Sequence, residues 1–459
     1  MADNNPINNL FKLREGEAGL VLGLGFLLFV NSLATQISGI VGISGVLESN
    51  GPNGYLLALG IVYTLIFFVA AGQSLVVDRV NRAVLMGWVI FAFALVFLML
   101  RIGFFIPNSD TVLYTLVYIV SELQWVIFPL IFWILINDVY SPAQARRLIP
   151  LTATLGITGK LVGIGITWVS PRVVEAIQLA TEDIILINVL IYLIAFVVAQ
   201  IRLSNVDIRE TNIKTEGLKE TLTEGWGFIK EVPAFRFLTI SIILLTVCDT
   251  VIEFHFYTIT SQFYPTAAEY TAFFSIYRLV VTVIALITQG VLTARIIETL
   301  ELKRTFYFLP VVTVIATVWM LATPVNMAGL VAAVGGIGLL KLIRDNTDES
   351  ARKSFQTLVP EERRGRVSTF IDTYLLSAGT VLGAIITALI VLVGSLVAFA
   401  QTYYVYLGLA LVMGGIAIWA IVRMNETYDA SMLNWRLKRR QRRSRAIDAL
   451  LDQAFGPDS

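Results

Sequence analysis

Apolar stretches of about twenty residues recur from one end of this chain to the other, and nothing else constrains its fold as strongly. A stretch of that length, coiled as a helix, spans the ~30 Å hydrocarbon core of a bilayer. Twelve are read, at approximately 18–47, 54–77, 83–106, 111–136, 148–170, 184–202, 236–263, 270–293, 305–322, 327–343, 367–393 and 402–423. In lipid every backbone N–H and C=O must be satisfied inside the protein, which leaves helices or a closed barrel. Strand-like alternation is absent, so the expected fold is an all-α membrane protein of about twelve transmembrane helices. Charged residues make up only 15% of the chain, against ~25% in a soluble domain, so lipid must solvate much of its surface. Residues 1–17 lack the basic region and short apolar core of a removable signal peptide. The single cysteine, Cys248, excludes an intrachain disulfide.

The net charge of +1 hides an asymmetry between loops. With the N-terminus in the cytoplasm, Arg79, Arg82, Arg146, Arg147, Arg209, Lys219, Arg295, Arg304, Arg363, Arg364 and the basic tail Arg436–Arg445 all fall inside, and only Arg101 and Arg172 fall outside. Cytoplasmic loops are the ones enriched in Lys and Arg, so both termini are expected in the cytoplasm.

The only long polar interruption, Ser204–Phe235, divides the spans six and six. Four regions are expected: a first six-helix bundle over 1–203, a cytoplasmic linker over 204–235, a second bundle over 236–424, and a basic tail helix over 425–459. Within the linker, Leu218, Leu222, Trp226 and Ile229 share a face, which predicts an amphipathic helix lying at the membrane interface. The bundles repeat one another. After the fourth span come Pro142, Arg146 and Arg147, then Gly156 and Gly163; after the tenth come Pro360, Arg363, Arg364 and Arg366, then Gly379 and Gly383. An even number of spans per repeat makes the two copies parallel, related by an axis along the membrane normal.

Ser74–Arg82 resembles the loop pattern G-x-x-x-D-R-x-G-R of the major facilitator superfamily, with Ser74 and Asn81 in place of its glycines. Two further stretches look like the bacterial and plastid ATP:ADP translocase branch and its relatives. One runs from Phe132-Trp133 through Asn137-Asp138 to Ala145-Arg146-Arg147-Leu148 and Gly156; the other runs from Asp348-Glu349-Ser350-Ala351-Arg352 through Val359-Pro360-Glu361-Glu362-Arg363 to Asp372. The opening Arg14-Glu15-Gly16-Glu17 is also similar. The resemblance implies an alternating-access carrier in a bacterial inner (plasma) membrane, for a nucleotide or another small anionic solute. It also implies gating roles at helix ends for Asp78, Arg79, Arg82, Asp138, Arg146 and Arg147, and for Arg363, Arg364 and Asp372 in the second copy. The positive-inside rule alone accounts for the arginines; it does not require the acids.

Charged side chains at membrane depth cost a few kcal/mol or more and face a cavity or a partner. Lys160 stands near the middle of the fifth span among Gly156, Gly159 and Gly163. It either grips an anionic substrate or is neutralised by a carboxylate such as Glu122 of the fourth span. Asp249 and Glu253, i and i+4 in the seventh span, share a face. Two carboxylates together in low dielectric suit proton uptake and release. Arg278 in the eighth span either pairs with Glu253 or supplies a second cation for the substrate. Lys160, Arg278 and Glu122 are therefore the expected substrate-binding residues, and Asp249 and Glu253 the expected proton-coupling pair. His255, the chain's only histidine, reads as a hydrogen-bonded core residue.

No G-x-x-x-x-G-K-[ST] loop is present to power transport by ATP hydrolysis. No metal site, cofactor or catalytic constellation is read, and an enzyme is not expected. The basic tail should attract anionic lipids rather than nucleic acid, and its apolar stripe, Ile447, Leu450, Leu451 and Phe455, offers a surface for the membrane or a protein partner. The alternative to a carrier is a transporter-shaped scaffold or accessory subunit of a larger membrane complex.

Overall fold

The computed structural model describes residues 17–77, 80–203, 218–289, 301–359, 361–397 and 401–455, which are helical apart from short turns, with no strand among them. The first helical stretch, Glu17–Val77, changes direction at Gly51, whose φ of 62° lies in the left-handed region that glycine enters without steric cost. Its two arms are α1, before Gly51, and α2, after it. Tyr118 shows that the arms fold back. Its backbone N lies 2.8 Å from where a Cβ on Gly42 would stand, and its ring centroid lies 6.0 Å from that of Tyr55.

The first half continues with α3 (Arg82–Gly103), α4 (Asp110–Val139), α5 (Pro142–Ile177) and α6 (Ile185–Leu203). Local chemistry sets the starts. Asn81 caps α3 through Ala83 and Val84, and Ser141 forms a capping box with Gln144 ahead of Pro142 in α5. After α7 (Leu218–Glu231), the second half holds α8 (Pro233–Phe263), α9 (Ala267–Thr288), α10 (Phe308–Ala322) and α11 (Met327–Leu342). A π-helical segment, Ile343–Asp348, joins α11 to α12 (Glu349–Gln356). A second one, Phe370–Leu375, joins α13 (Glu361–Thr369) to α14 (Leu376–Leu396). The chain closes with α15 (Thr402–Phe455). Among the described residues, eleven helices are long and apolar enough to cross a membrane, the first of them 56 residues long. At ~1.5 Å per residue that first one far exceeds a single crossing, and folded at Gly51 it supplies two of the twelve expected spans.

The glycine rows of the two copies do matching work. A Cβ on Gly159 would fall 2.2 Å from the Phe29 carbonyl oxygen, and one on Gly163 2.6 Å from that of Leu33, so α5 lies directly on α1. A Cβ on Gly379 would lie 3.0 Å from Thr246 Cβ, and one on Gly383 2.9 Å from Thr250 Cβ, so α14 lies on α8. Between them α1, α4 and α6 bury an uncharged network. Gln124 accepts from Ser38 (3.1 Å) and donates to the Tyr192 hydroxyl, which donates to Asn31 (2.9 Å), while Asn188 donates to the Ala34 carbonyl (3.0 Å).

Three expectations need correction. The tenth span does not end at 343: the helix runs on through the π segment to Gln356, because Asn346, Asp348 and Arg352 find polar partners inside the protein. The twelfth span and the tail are one helix, with no break at 424. In α7 the buried face is Thr221, Gly225, Phe228 and Ile229, while Trp226 is 51% exposed with Lys230 over its ring. The bare backbone at Gly225 admits the Phe370 ring and turns the helix toward the second half, against the face expected from sequence.

Candidate functional site

The helix ends carrying Arg82 and Arg147 form a basic end of the bundle. Arg82 is ion-paired with buried Asp138, Arg147 with Glu17 (2.9 Å), Arg366 with Glu224, and Arg363 with Glu231 (3.9 Å). Arg364 donates to the Thr357 and Val359 carbonyls. Asp372 accepts from Arg352 (3.0 Å) and Gln356 (3.0 Å), and Arg352 also holds Asp348 (2.9 Å), so one guanidinium fastens the two π segments together. Among the described residues, none of these pairs joins the first half to the second, Glu224 and Glu231 belonging to the linker helix α7. Asp78 and Arg79 lie outside the described residues, and the same holds for the side chains of Arg146 and of the tail beyond residue 430.

Deeper in the membrane the two halves meet. The Tyr55 hydroxyl of α2 donates to Glu253 of α8 (2.8 Å), Ser275 of α9 donates to Thr167 of α5 (3.1 Å), and Arg278 of α9 donates to Gln36 of α1 (3.1 Å). Rings line this junction. Tyr55 and Tyr257 stand 4.4 Å apart, Phe256 and Tyr277 5.2 Å, and the Arg278 guanidinium lies 4.9 Å from the Phe274 ring.

Two ion pairs occupy the second half's side of the junction. Lys341 holds Glu253 (2.7 Å), and Arg344 holds Asp249 (2.8 Å) and the Leu245 carbonyl (3.2 Å). The sequence reading missed both cations, because a basic residue at 341 or 344 looked like the end of a span. The i, i+3 spacing of Lys341 and Arg344, opposite the i, i+4 spacing of Asp249 and Glu253, is the signal that was there to be used. Of the two alternatives for Arg278, the pair with Glu253 is not formed, since Lys341 takes that carboxylate. Lys160 is not neutralised by Glu122 in an ion pair either. Among the described residues, Lys160, Arg278, Glu122 and Asp345 have no ion-pair partner, although Lys160 lies in the fields of Arg278, Lys341 and Asp345. His255 is buried, with Nδ1 3.0 Å from the Tyr406 hydroxyl.

What the arrangement offers chemically is a mid-membrane cluster with, among the described residues, a cation outside any ion pair on each half, Lys160 on α5 and Arg278 on α9, the latter held by Gln36 and the Phe274 ring. Grooves elsewhere differ in kind. One of about 610 Å³ between α5 and α6 is lined by Val162, Ile166, Val169, Val173 and Ile187 and contains none of the expected site residues. One of about 60 Å³ inside the second half is lined in part by Ser241, Arg344, Asp348 and Arg352.

A family model described as TLC ATP/ADP transporter matches residues 60–343. Among solved structures, the nucleoside transporter NupG aligns over 89% of this chain and 99% of its own, with a TM-score of 0.62 at 12% identity. A bacterial homologue of the iron transporter ferroportin, in an inward-facing state, aligns over 90% and 99%, with a TM-score of 0.59 at 14% identity. A bacterial homolog of the human lysosomal transporter Spinster, inward-facing and unoccupied, aligns over 92% and 97%, with a TM-score of 0.55 at 12% identity. At such identities the likeness is one of fold, the two-bundle major facilitator architecture. A comparison with curated protein sequences finds no match.

Proposed function

The chain belongs to the TLC ATP/ADP transporter family, and from that premise we propose that it is a secondary carrier moving a small anionic solute, a nucleotide first among candidates, by rocking its two halves. The observation that carries this reading is the pair of unpaired cations, Lys160 and Arg278, on opposite halves at mid-membrane. An anion bridging them is held by charge-assisted hydrogen bonds from both halves at once. The rings beside Arg278, Phe274, Phe256 and Tyr277, are themselves buried, so the choice of a nucleotide rests on the family match.

In this reading the Lys341–Glu253 and Arg344–Asp249 pairs do the coupling. A phosphate that draws Lys341 away leaves Glu253 buried without its cation, and proton uptake then relieves the uncompensated charge. Glu122, partnerless beside Arg278, sets how many negative charges the site accepts. The basic-end pairs Arg82–Asp138 and Arg352–Asp372 act as gate elements, with both termini in the cytoplasm of a bacterial cell and the halves parted toward that side. The lipid bilayer is the solvent, with anionic lipids at the basic tail. No catalytic step is assigned.

Uptake of radiolabelled ADP and ATP into proteoliposomes of the purified protein tests the reading. Time-dependent, saturable accumulation is expected, and its absence for nucleotides and for small phosphorylated or carboxylated anions sinks it. One observation favours the scaffold alternative: α15 has 54 residues, well beyond the ~20 that a crossing needs. A stoichiometric partner that co-purifies only with the full-length helix, together with no transport, is the outcome that reading requires.

A further inference from the structure

Among the described residues, the four mid-membrane charges without an ion-pair partner divide evenly between the halves. Lys160 and Glu122 belong to the first, Arg278 and Asp345 to the second. Asp345 stands in the π segment after α11, exposed, while its neighbours Lys341 and Arg344 are committed to α8. The Ser275–Thr167 bond sets α5 against α9, and Asn346, next to Asp345, donates to the Thr288 hydroxyl (2.7 Å) and the Ala285 carbonyl (3.3 Å) of α9, so Lys160 and Asp345 both stand against α9 on the basic side of that bond. The Arg278 guanidinium and the hydroxyl of Ser121, next to Glu122 in sequence, both stand 3.6 Å from where a Cβ on Gly39 would be. Among the described residues, neither cation forms an ion pair with a carboxylate of the opposite half.

The Lys160–Asp345 gap lies on the basic side of the bond between α5 and the second half; α2 meets the second π segment through Phe67 and Tyr374 (4.9 Å between ring centroids). On α5 the bond to the second half is at Thr167, about two turns beyond Lys160, and the ion pairs nearer the basic end each stay within one half. Closing the basic end brings α5 toward the π segment. Closure also expels water, and an unmatched charge in a dry interior is strongly unfavourable. Any occluded state must match Lys160 and Arg278, either with a bound anion or with the chain's own carboxylates.

We propose that Asp345 is the protein's own stand-in for the substrate anion, closing on Lys160 while Glu122 closes on Arg278, so that the unloaded carrier can occlude and reorient. The inference rests on the carrier reading above. Asp345 is then a positioning residue for the empty return step, and an entering anion competes with it for Lys160.

Spin labels on cysteines at exposed Thr154 of α5 and at exposed Thr357, just after α12, report closure of the basic end without any substrate; the native Cys248 is buried. Unloaded wild-type protein should populate a short distance, and Asp345→Asn should lower that population at least ~tenfold. Asp345→Glu should restore it. In proteoliposomes, Asp345→Asn should lose net ADP uptake while keeping ADP–ADP exchange. An unloaded Asp345→Asn protein that closes as wild type does, or a wild type that never closes unloaded, overturns the proposal. Lack of any ADP transport by wild type, with the distance changes intact, counts instead against the nucleotide reading and leaves Asp345 supported.

Discussion

The two halves share a helix order and a glycine row, yet their mid-membrane interiors are held together differently; the first half's ion pairs, Arg82–Asp138 and Arg147–Glu17, stand at its basic end. In the first, α1, α4 and α6 are joined by uncharged groups, Gln124, Ser38, Tyr192, Asn31 and Asn188, and α5 rests on the bare backbone of α1. In the second, ion pairs do the joining, Lys341 to Glu253, Arg344 to Asp249, and Arg352 to both Asp348 and Asp372, and two of its helices relax into π turns. Amide and hydroxyl bonds with no spare charge give one arrangement. Ion pairs can exchange partners, and π turns recur at functional sites. The contrast assigns stiffness to the first half and movement to the second.

The sharpest way to break that contrast is to crowd the stiff half. Gly159→Val places side-chain atoms on the Phe29 carbonyl and should cost about 3 kcal/mol or more, read as a lowered unfolding temperature in detergent. Its counterpart Gly379→Val meets Thr246 Cβ at 3.0 Å and the Ile243 carbonyl oxygen at 3.5 Å and should cost less, about 1–2 kcal/mol. Equal losses would mean that both halves are packed alike. Next, Arg352→Ala strips two carboxylates of their cation and should cost roughly 2–3 kcal/mol. Faster amide exchange should be confined to 343–375; spread into α1–α6, it would break the division. Gln124→Leu interrupts the uncharged network and should cost about 1–2 kcal/mol, with exchange rising in α1, α4 and α6 alone. Smallest on stability is Lys160→Ala, within about 0.5 kcal/mol, since Lys160 has no ion-pair partner to strand. Anion uptake should nevertheless fall at least ~tenfold. Unchanged uptake removes Lys160 from the site.

Apolar periodicity made the span count and the two-bundle division readable, because lipid punishes any other solution. Lys160, Arg278 and Glu122 were readable for the same reason: each interrupts an apolar run. Lys341 and Arg344 were not, because they sit where a helix was expected to leave the membrane, and charge at a helix end carries no signal. Only tertiary structure shows that the helix continues to Gln356 and that these cations turn inward to α8. The π segments left no pattern in the sequence either, since they follow from where Asp348 and Asp372 find Arg352. The face of α7 was misjudged because amphipathicity gives a direction but not a partner, and the Phe370 ring beside Gly225 decided it.

The bare-backbone contact between α5 and α1 has a consequence for discrimination. Gly159 leaves no slack against Phe29, and at the same helices' ends Arg147 is tied to Glu17. The backbone beneath Lys160 is thus clamped at two points, and the ammonium reaches outward from a fixed mount by the length of its own stem. It works as a ruler: a ligand must carry its anionic group to that distance, because the helix cannot travel to meet it. Shortening or lengthening that one side chain is then the most direct way to retune which anions fit.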